Sequence, residues 1–325
     1  MHNLQVDAKA STMLVCSLSS TSENRLTRNK ASFPHRFVEN SSSSKDPNVV
    51  TKIRSGGIKN ATSEDSKVEI TCQVGSTMVY NSLRPYKYNS GSSDVLDCYI
   101  EDRALLFVCQ HPTKINSSLS DAKLFTKHQT FHLEKHANLV LVDWYDCSEK
   151  STNGEAVTID NLIEVKMNNE SVLSLISQEQ MGSDQNLVAI GGSIIVRGER
   201  VRKASQQILS LPKFEPKATL TNIGVKRNRG SSSNILTLEE LEDKKDDNKN
   251  TSNSSDKVFI CYEATENDEG VFTLKFKASS LELGYAFVSQ ILAPLEKELE
   301  INPASLPWAR QFDPLYHGKQ CASLL

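Results

Sequence analysis

The stretch FHLEKHANLVLVDWYDCSE, residues 131–149, sets two histidines beside an apolar run and then places Asp143 inside that run, just before Trp144. Two β-rich segments, LFTKHQTFHL (124–133) and NLVLVDWYD (138–146), flank Glu134-Lys135-His136-Ala137, a pattern that predicts a hairpin. Side chains alternate along a strand, so Leu139, Leu141 and Asp143 share one face while Val140, Val142 and Trp144 share the other. A carboxylate in line with two leucines needs partners, because burying it alone is very costly. Two readings stay open: backbone amides or an arginine such as Arg103 satisfy it, or it lines a polar cavity or an interface.

Strand signals continue on both sides. In VEITCQV, Val68, Ile70, Cys72 and Val74 alternate with polar residues, the mark of a half-buried strand. VLDCYI and the almost continuously apolar RALLFVC follow. NLIEVKM and SVLSLIS read as a hairpin turning at Asn168-Asn169. NLVAIGGSIIVRG predicts two short strands around Gly191-Gly192, and a short helix is expected at about 199–211. KVFICYEA and GVFTLKFKA predict another hairpin. The period then changes: Leu281, Tyr285, Val288, Leu292, Leu295 and Leu299 recur at helical spacing. Ser279 with Glu282 suggests a capping box, and Pro294 a kink within a helix that continues. The expected fold is mainly β: an antiparallel scaffold with one short helix and an amphipathic C-terminal helix.

Composition sets the organisation and excludes several functions. Residues 18–66 are crowded with Ser, Asn, Thr and charge, and 1–66 is expected to be a divergent, largely flexible region. Residues 67–221 form the β-rich body, and 222–256, with its serine tract and charge run, is expected to be a disordered insertion. Residues 257–312 supply the closing hairpin and helix of the same domain, and 313–325 a tail. Over 325 residues the net charge is only −3, so there is no electrostatic footprint for nucleic acid or an anionic membrane. No apolar run approaches the ~20 residues that span a bilayer. The first residues, MHNLQVDAKASTMLVC, lack the basic and apolar regions of a signal peptide. Seven scattered cysteines without a C-x-x-C pair predict reduced thiols in a cytoplasmic protein.

Familiar catalytic patterns are missing. There is no phosphate-binding glycine loop, no G-x-S-x-G and no H-E-x-x-H. His128, His132 and His136 are spaced four apart, which on a helix would suit one metal. In an alternating β segment the same spacing separates side chains by about 13 Å, so solvent-facing strand and turn histidines are expected.

Collinear with these strands, the chain resembles the urease accessory protein family UreD, called UreH in some bacteria. The resemblance is carried by QVGSTMVYNS (73–82), RALLFVCQHPTKI (103–115), DAKLFTKHQTFHL (121–133), ANLVLVDW (137–144) and Gly154-Glu155. The closing FTLKFKASSLELGYAFVSQILAPLE and NPASLPWAR are similar to the family's ending, so the match covers about 68–210 and 257–312. Departures are Met78 where the family has lysine, and Ser148-Glu149 where it has Gly-Arg. The resemblance implies a non-enzymatic maturation scaffold that binds apo-urease together with UreF and the GTPase UreG. It implies no permanently bound cofactor, but nickel in transit along an interior polar path, with Asp143 and Glu155 as candidate transient ligands. Two other classes remain: a metal-assisted hydrolase using Asp143 and Glu155, and a β-rich interaction module unrelated to urease.

Overall fold

The computed structural model describes residues 12–18, 24–30, 35–39, 48–54, 66–82, 87–89, 91–116, 124–147, 157–181, 188–211, 233–237, 259–299 and 306. In chain order the strands are β1 (Thr12–Leu18), β2 (Asn24–Lys30), β3 (His35–Glu39), β4 (Asn48–Arg54), β5 (Ser66–Cys72) and β6 (Thr77–Ser82). Next come β7 (Lys87–Asn89), β8 (Ser93–Ile100), β9 (Leu105–Cys109), β10 (Lys114–Asn116), β11 (Leu124–Leu133) and β12 (Asn138–Asp146). The last are β13 (Val157–Met167), β14 (Glu170–Met181), β15 (Ile190–Arg197), β16 (Ser233–Thr237), β17 (Phe259–Glu266) and β18 (Val271–Ala278). Two helices, α1 (Arg202–Ser210) and α2 (Leu281–Glu298), complete the elements.

A seven-stranded sheet runs β14-β13-β11-β8-β5-β1-β2, and a nine-stranded sheet runs β16-β17-β18-β15-β12-β9-β6-β4-β3. The mainly-β expectation holds, but the pairing is mixed rather than antiparallel. β1, β5, β8, β11 and β13 pair in parallel in the first sheet, as do β4, β6, β9 and β12 in the second. The connectivity explains this. β5, β8 and β11 lie in the first sheet, while their immediate successors β6, β9 and β12 lie in the second. Parallel neighbours need a crossover connection, and here each crossover contains a strand of the opposite sheet.

The segment 134–137 is therefore not a hairpin turn. It carries the chain across from β11 to β12 in the other sheet. Hairpins and such crossovers share strand composition and turn residues, so the local pattern does not separate them. What separates them is the hydrogen bonding, which goes to the neighbouring turns: Gln73 N–H donates to Cys16 O, Glu101 N–H to Cys72 O, and Glu134 N–H to Ile100 O. On the way out, Leu105 N–H donates to Ser76 O and Asn138 N–H to Ala104 O. Carboxylates complete the stack, with Val74 N–H donating to Glu101 Oε2 (2.9 Å) and Asp102 N–H to Glu134 Oε2 (2.7 Å).

Burial follows the layers. β11 alternates because its outer face meets solvent, whereas every residue of β12 is buried. The second sheet is covered on both faces, which is why NLVLVDWYD reads as a near-continuous apolar run. Leu139 and Leu141 pack between the sheets with Met78, Leu106, Phe131 and Ile163. Val140, Val142 and Trp144 pack against the helices, with Ala204, Ile208, Tyr285 and Val288. Trp144 donates from Nε1 to Gln110 O at 2.7 Å, so its polar atom is satisfied within the core.

Other expectations need adjustment. The N-terminal region contributes β1–β4, with Leu14 and Cys16 of β1 buried beside β5. TMLVCSL carries a run of apolar residues, of which Leu14 and Cys16 share the inward face. Within 222–256 only β16 is described, paired antiparallel with β17; the expected disorder concerns residues outside the described ones. The hairpins β13–β14 and β17–β18 form as expected, with Asn168 and Asn169 at φ 50° and 68°. The α2 cap is Ser280, one residue later than expected, whose hydroxyl accepts from Leu283 N–H at 3.1 Å. Pro294 lies inside α2, which continues to Glu298.

Gly191-Gly192 does not divide two strands but sits inside the single strand β15. A Cβ on Gly192 would stand 2.5 Å from Trp144 Cβ and 2.7 Å from Asp143 O. The glycine lets β15 pass under the tryptophan. Gly192→Ala should therefore lower the free energy of unfolding by about 1–3 kcal/mol, the usual cost of overpacking, as read from urea denaturation. An unchanged midpoint would show that this close approach is not needed.

Candidate functional site

Strand register carries polar residues across the interior on one level. In the first sheet the aligned row is Ser66, Asp94, Lys127, Asn161 and Ser177, one from each of β5, β8, β11, β13 and β14. In the second sheet it is Asp143, Ser193, Lys275 and Glu263, from β12, β15, β18 and β17. The next level along the same strands is Val68, Leu96, Gln129 and Ile163, with one polar residue, and the one after it is Ile70, Cys98, Phe131 and Val165.

Asp143 is the link between the two rows and is only 2% exposed. Lys127 Nζ donates to its Oδ1, and Asn161 Nδ2 donates to its Oδ2 at 2.7 Å. Lys127 also donates to Thr113 Oγ1 at 3.3 Å. A carboxylate can only accept, so Asn161 must present its NH2 to Asp143 and turn its carbonyl oxygen elsewhere. That oxygen, Asn161 Oδ1, is buried with no hydrogen-bond partner, as is Gln129 Nε2 one level away. A second ion pair, Lys114 with Asp146 at 2.8 Å, lies further along β12; the Asp146 side chain is buried.

Arg103 is not the partner of Asp143. It sits at φ 56° in an exposed turn and approaches Asp102 at 3.4 Å. The cation is Lys127, and its parity was readable: it alternates in phase with Phe125, Phe131 and Leu133, all of which point inward. Asn161 was legible in the same way, in phase with Ile159, Ile163 and Val165. Glu155, Gly154 and Ser148-Glu149 lie outside the described residues. Met78, at the family's lysine position, is fully buried between the sheets.

His128, His132 and His136 face away from the space between the sheets, whereas His111 is buried with its Nδ1 against the Tyr285 hydroxyl. His132 stacks on Tyr99 at 4.5 Å and approaches Asp97 at 3.3 Å on the outer face of the first sheet. His136 is in the turn, 2.7 Å from Asp102. His128 and His132 are thus separated from Asp143 by the sheet itself. Among the described residues no three His, Cys, Asp or Glu side chains are grouped to hold a metal. The six described cysteines are thiols rather than disulfides, and burial pushes the Cys72 and Cys98 thiols well above their ordinary range. No helix among the described residues is long and apolar enough to cross a membrane.

Among the described residues, two clefts bear on this region. The larger, about 560 Å³, lies at the stacked-turn end beside Lys135, Arg197 and Arg202, away from Asp143. Arg197 there donates to the Ala137 and Lys135 carbonyls, tying β15 to the turn. The smaller, about 330 Å³, lies between the sheets and is lined by Asn161, Ser177, Ser193, Lys275 and Glu263. It is the solvent end of the polar level.

No family model matches the chain, and no curated protein matches it.

Chemically, the centre holds a carboxylate between an ammonium and an amide, so Asp143 acts as an anchor across the sheets. Removing one partner of such a buried pair leaves the other charge uncompensated. Asp143→Ala should lower stability by about 3–5 kcal/mol, whereas D143L combined with K127M should recover most of that loss. Chemical denaturation of the three proteins measures both effects. An equal loss in the double variant would show that the interior does not depend on the pair.

Proposed function

We propose that the chain is a maturation scaffold of the urease accessory type, acting in the cytoplasm, which holds apo-urease with UreF and UreG while nickel is delivered. The reading rests on the family resemblance and is supported by one observation above all. A body otherwise packed with apolar side chains carries a continuous polar level from a solvent-open cleft to its centre. An aqueous route through a β core needs hydrogen-bonding side chains along its walls. Asn161 Oδ1 and Gln129 Nε2, buried and without protein partners, are groups that interior water would satisfy.

The roles divide along the level. Asp143 orients Asn161 and compensates Lys127, so its part in the route is to hold the wall, while Asn161 and Gln129 face it. Glu155 remains the companion acidic candidate. Nickel is cargo here, handed on to urease.

Gln129→Leu is the discriminating variant, because it removes a polar wall group without unpairing a charge. Coexpressed with urease, UreF and UreG, it should leave the melting temperature and partner pull-down unchanged and lower the nickel content of urease. The purified chain alone should turn over neither urea nor GTP. Full nickel loading of urease in cells lacking this chain, or turnover by the isolated protein, would refute the scaffold reading.

A further inference from the structure

We propose that the 560 Å³ cleft at the stacked-turn end binds a small zwitterion: a carboxylate that also carries an ammonium and an apolar group, in the manner of a free amino acid. The site is separate from the polar level around Asp143 and stands or falls independently of nickel delivery.

Arg197 sets the carboxylate end. Its side chain lines the cleft, yet the residue is only 8% exposed. A guanidinium carries five N–H donors. Arg197 commits one to Ala137 O at 3.1 Å and one to Lys135 O at 3.4 Å, and its Nε–H is buried without a hydrogen-bond partner. Among the described residues no carboxylate forms an ion pair with it. Burial pulls its pKa below the ordinary arginine range, and Glu269 opposes that only in part. A desolvated cation held by two carbonyls alone still lacks its anion, and the planar fork of arginine matches a carboxylate with two parallel bonds. Lys135, exposed on the rim of the cleft and without an ion pair among the described residues, adds a second cation.

The rest of the wall selects against a simple anion. Arg202 is already paired with Glu199 at 3.2 Å. Glu266 and Glu269 line the same cleft, are exposed, and have no ion pair among the described residues. Register holds the groups together: Arg197 faces Val271 across β15 and β18, and the next residue, Phe272, faces Glu266 across β18 and β17. A bare anion at Arg197 would meet two uncompensated carboxylates, whereas a ligand that also carries an ammonium offsets them. The apolar part of the wall is Phe272 with Leu209, which is 55% exposed although its neighbour Ile208 is buried. An apolar group on the ligand covers that surface and removes it from water. Charge of both signs with an apolar wall, in a volume within the usual range for small-molecule pockets, suits one amino acid.

The test titrates the full chain calorimetrically with four probes: L-leucine, 4-methylpentanoate, which lacks the ammonium, 3-methylbutylamine, which lacks the carboxylate, and inorganic phosphate. Leucine should bind with a Kd below about 1 mM, and each single-charge analogue about tenfold more weakly. E266Q combined with E269Q alters only exposed side chains and should reduce leucine to the affinity of 4-methylpentanoate. Arg197→Met should abolish binding of both carboxylates. Because that change also unties β15 from the turn, Lys135→Ala is its companion: it should weaken both carboxylates while leaving the melting temperature unchanged, since the side chain is exposed. Leucine that fails to bind at that concentration overturns the proposal, as does leucine affinity indifferent to E266Q with E269Q. Phosphate or 4-methylpentanoate binding as tightly as leucine also overturns it, since the cleft then takes any anion.

Discussion

The backbone hydrogen bonds that run through the stacked turns are the constraint on which the rest depends. Each turn at that end receives bonds from its neighbours, as from Glu101 N–H to Cys72 O and from Glu134 N–H to Ile100 O. Once the turns are stacked, successive strands must fall in register within each sheet. Register then decides everything on the inner faces, because a slip of one residue would turn every side chain to the other side. Lys127 faces Asp143 only because β11 and β12 leave the same turn in a fixed phase. Arg200 reinforces that end, donating from Nη2 to Thr77 Oγ1 at 2.8 Å and through its backbone N–H to Asn138 Oδ1 at 3.0 Å.

The polar level is costly in this setting. A buried ion pair of this kind contributes little net stability, since desolvation offsets the attraction. Leucine-sized apolar residues at Asp143 and Lys127 would be expected to pack at least as well. A use for polarity in the interior would account for the pair, and for the orphaned amide atoms of Asn161 and Gln129 as well. Structural anchoring and a hydrated interior are compatible readings, since the same carboxylate fixes the direction in which Asn161 presents its oxygen.

Much of this was legible in the residues, and what was not has a physical reason. Alternation located the strands, and parity placed Asp143 beside Leu139 and Leu141 on the inner face. The same parity test, applied to LFTKHQTFHL, identifies Lys127 and Gln129 as inward. Pairing partners were not legible, because a four-residue turn between β segments suits a hairpin and a crossover equally. The error about antiparallel pairing follows from that one ambiguity. Gly191-Gly192 misled for another reason: glycine marks both strand breaks and close approaches, and only the position of Trp144 separates them.

The last strand of the first sheet and the interior meet at Ser177. It belongs to the straight part of β14 and is also the last residue of the polar row that begins at Ser66. The cleft beside it is thus the mouth of the polar level, with Asn161 in its wall and Lys275 at its rim. Whatever covers that mouth would exclude bulk water from one end of the level. Inside a less polar enclosure, charges and hydrogen bonds along the level act more strongly on one another. Closing that mouth would in this way change the environment of Asn161 and Asp143 without moving either strand.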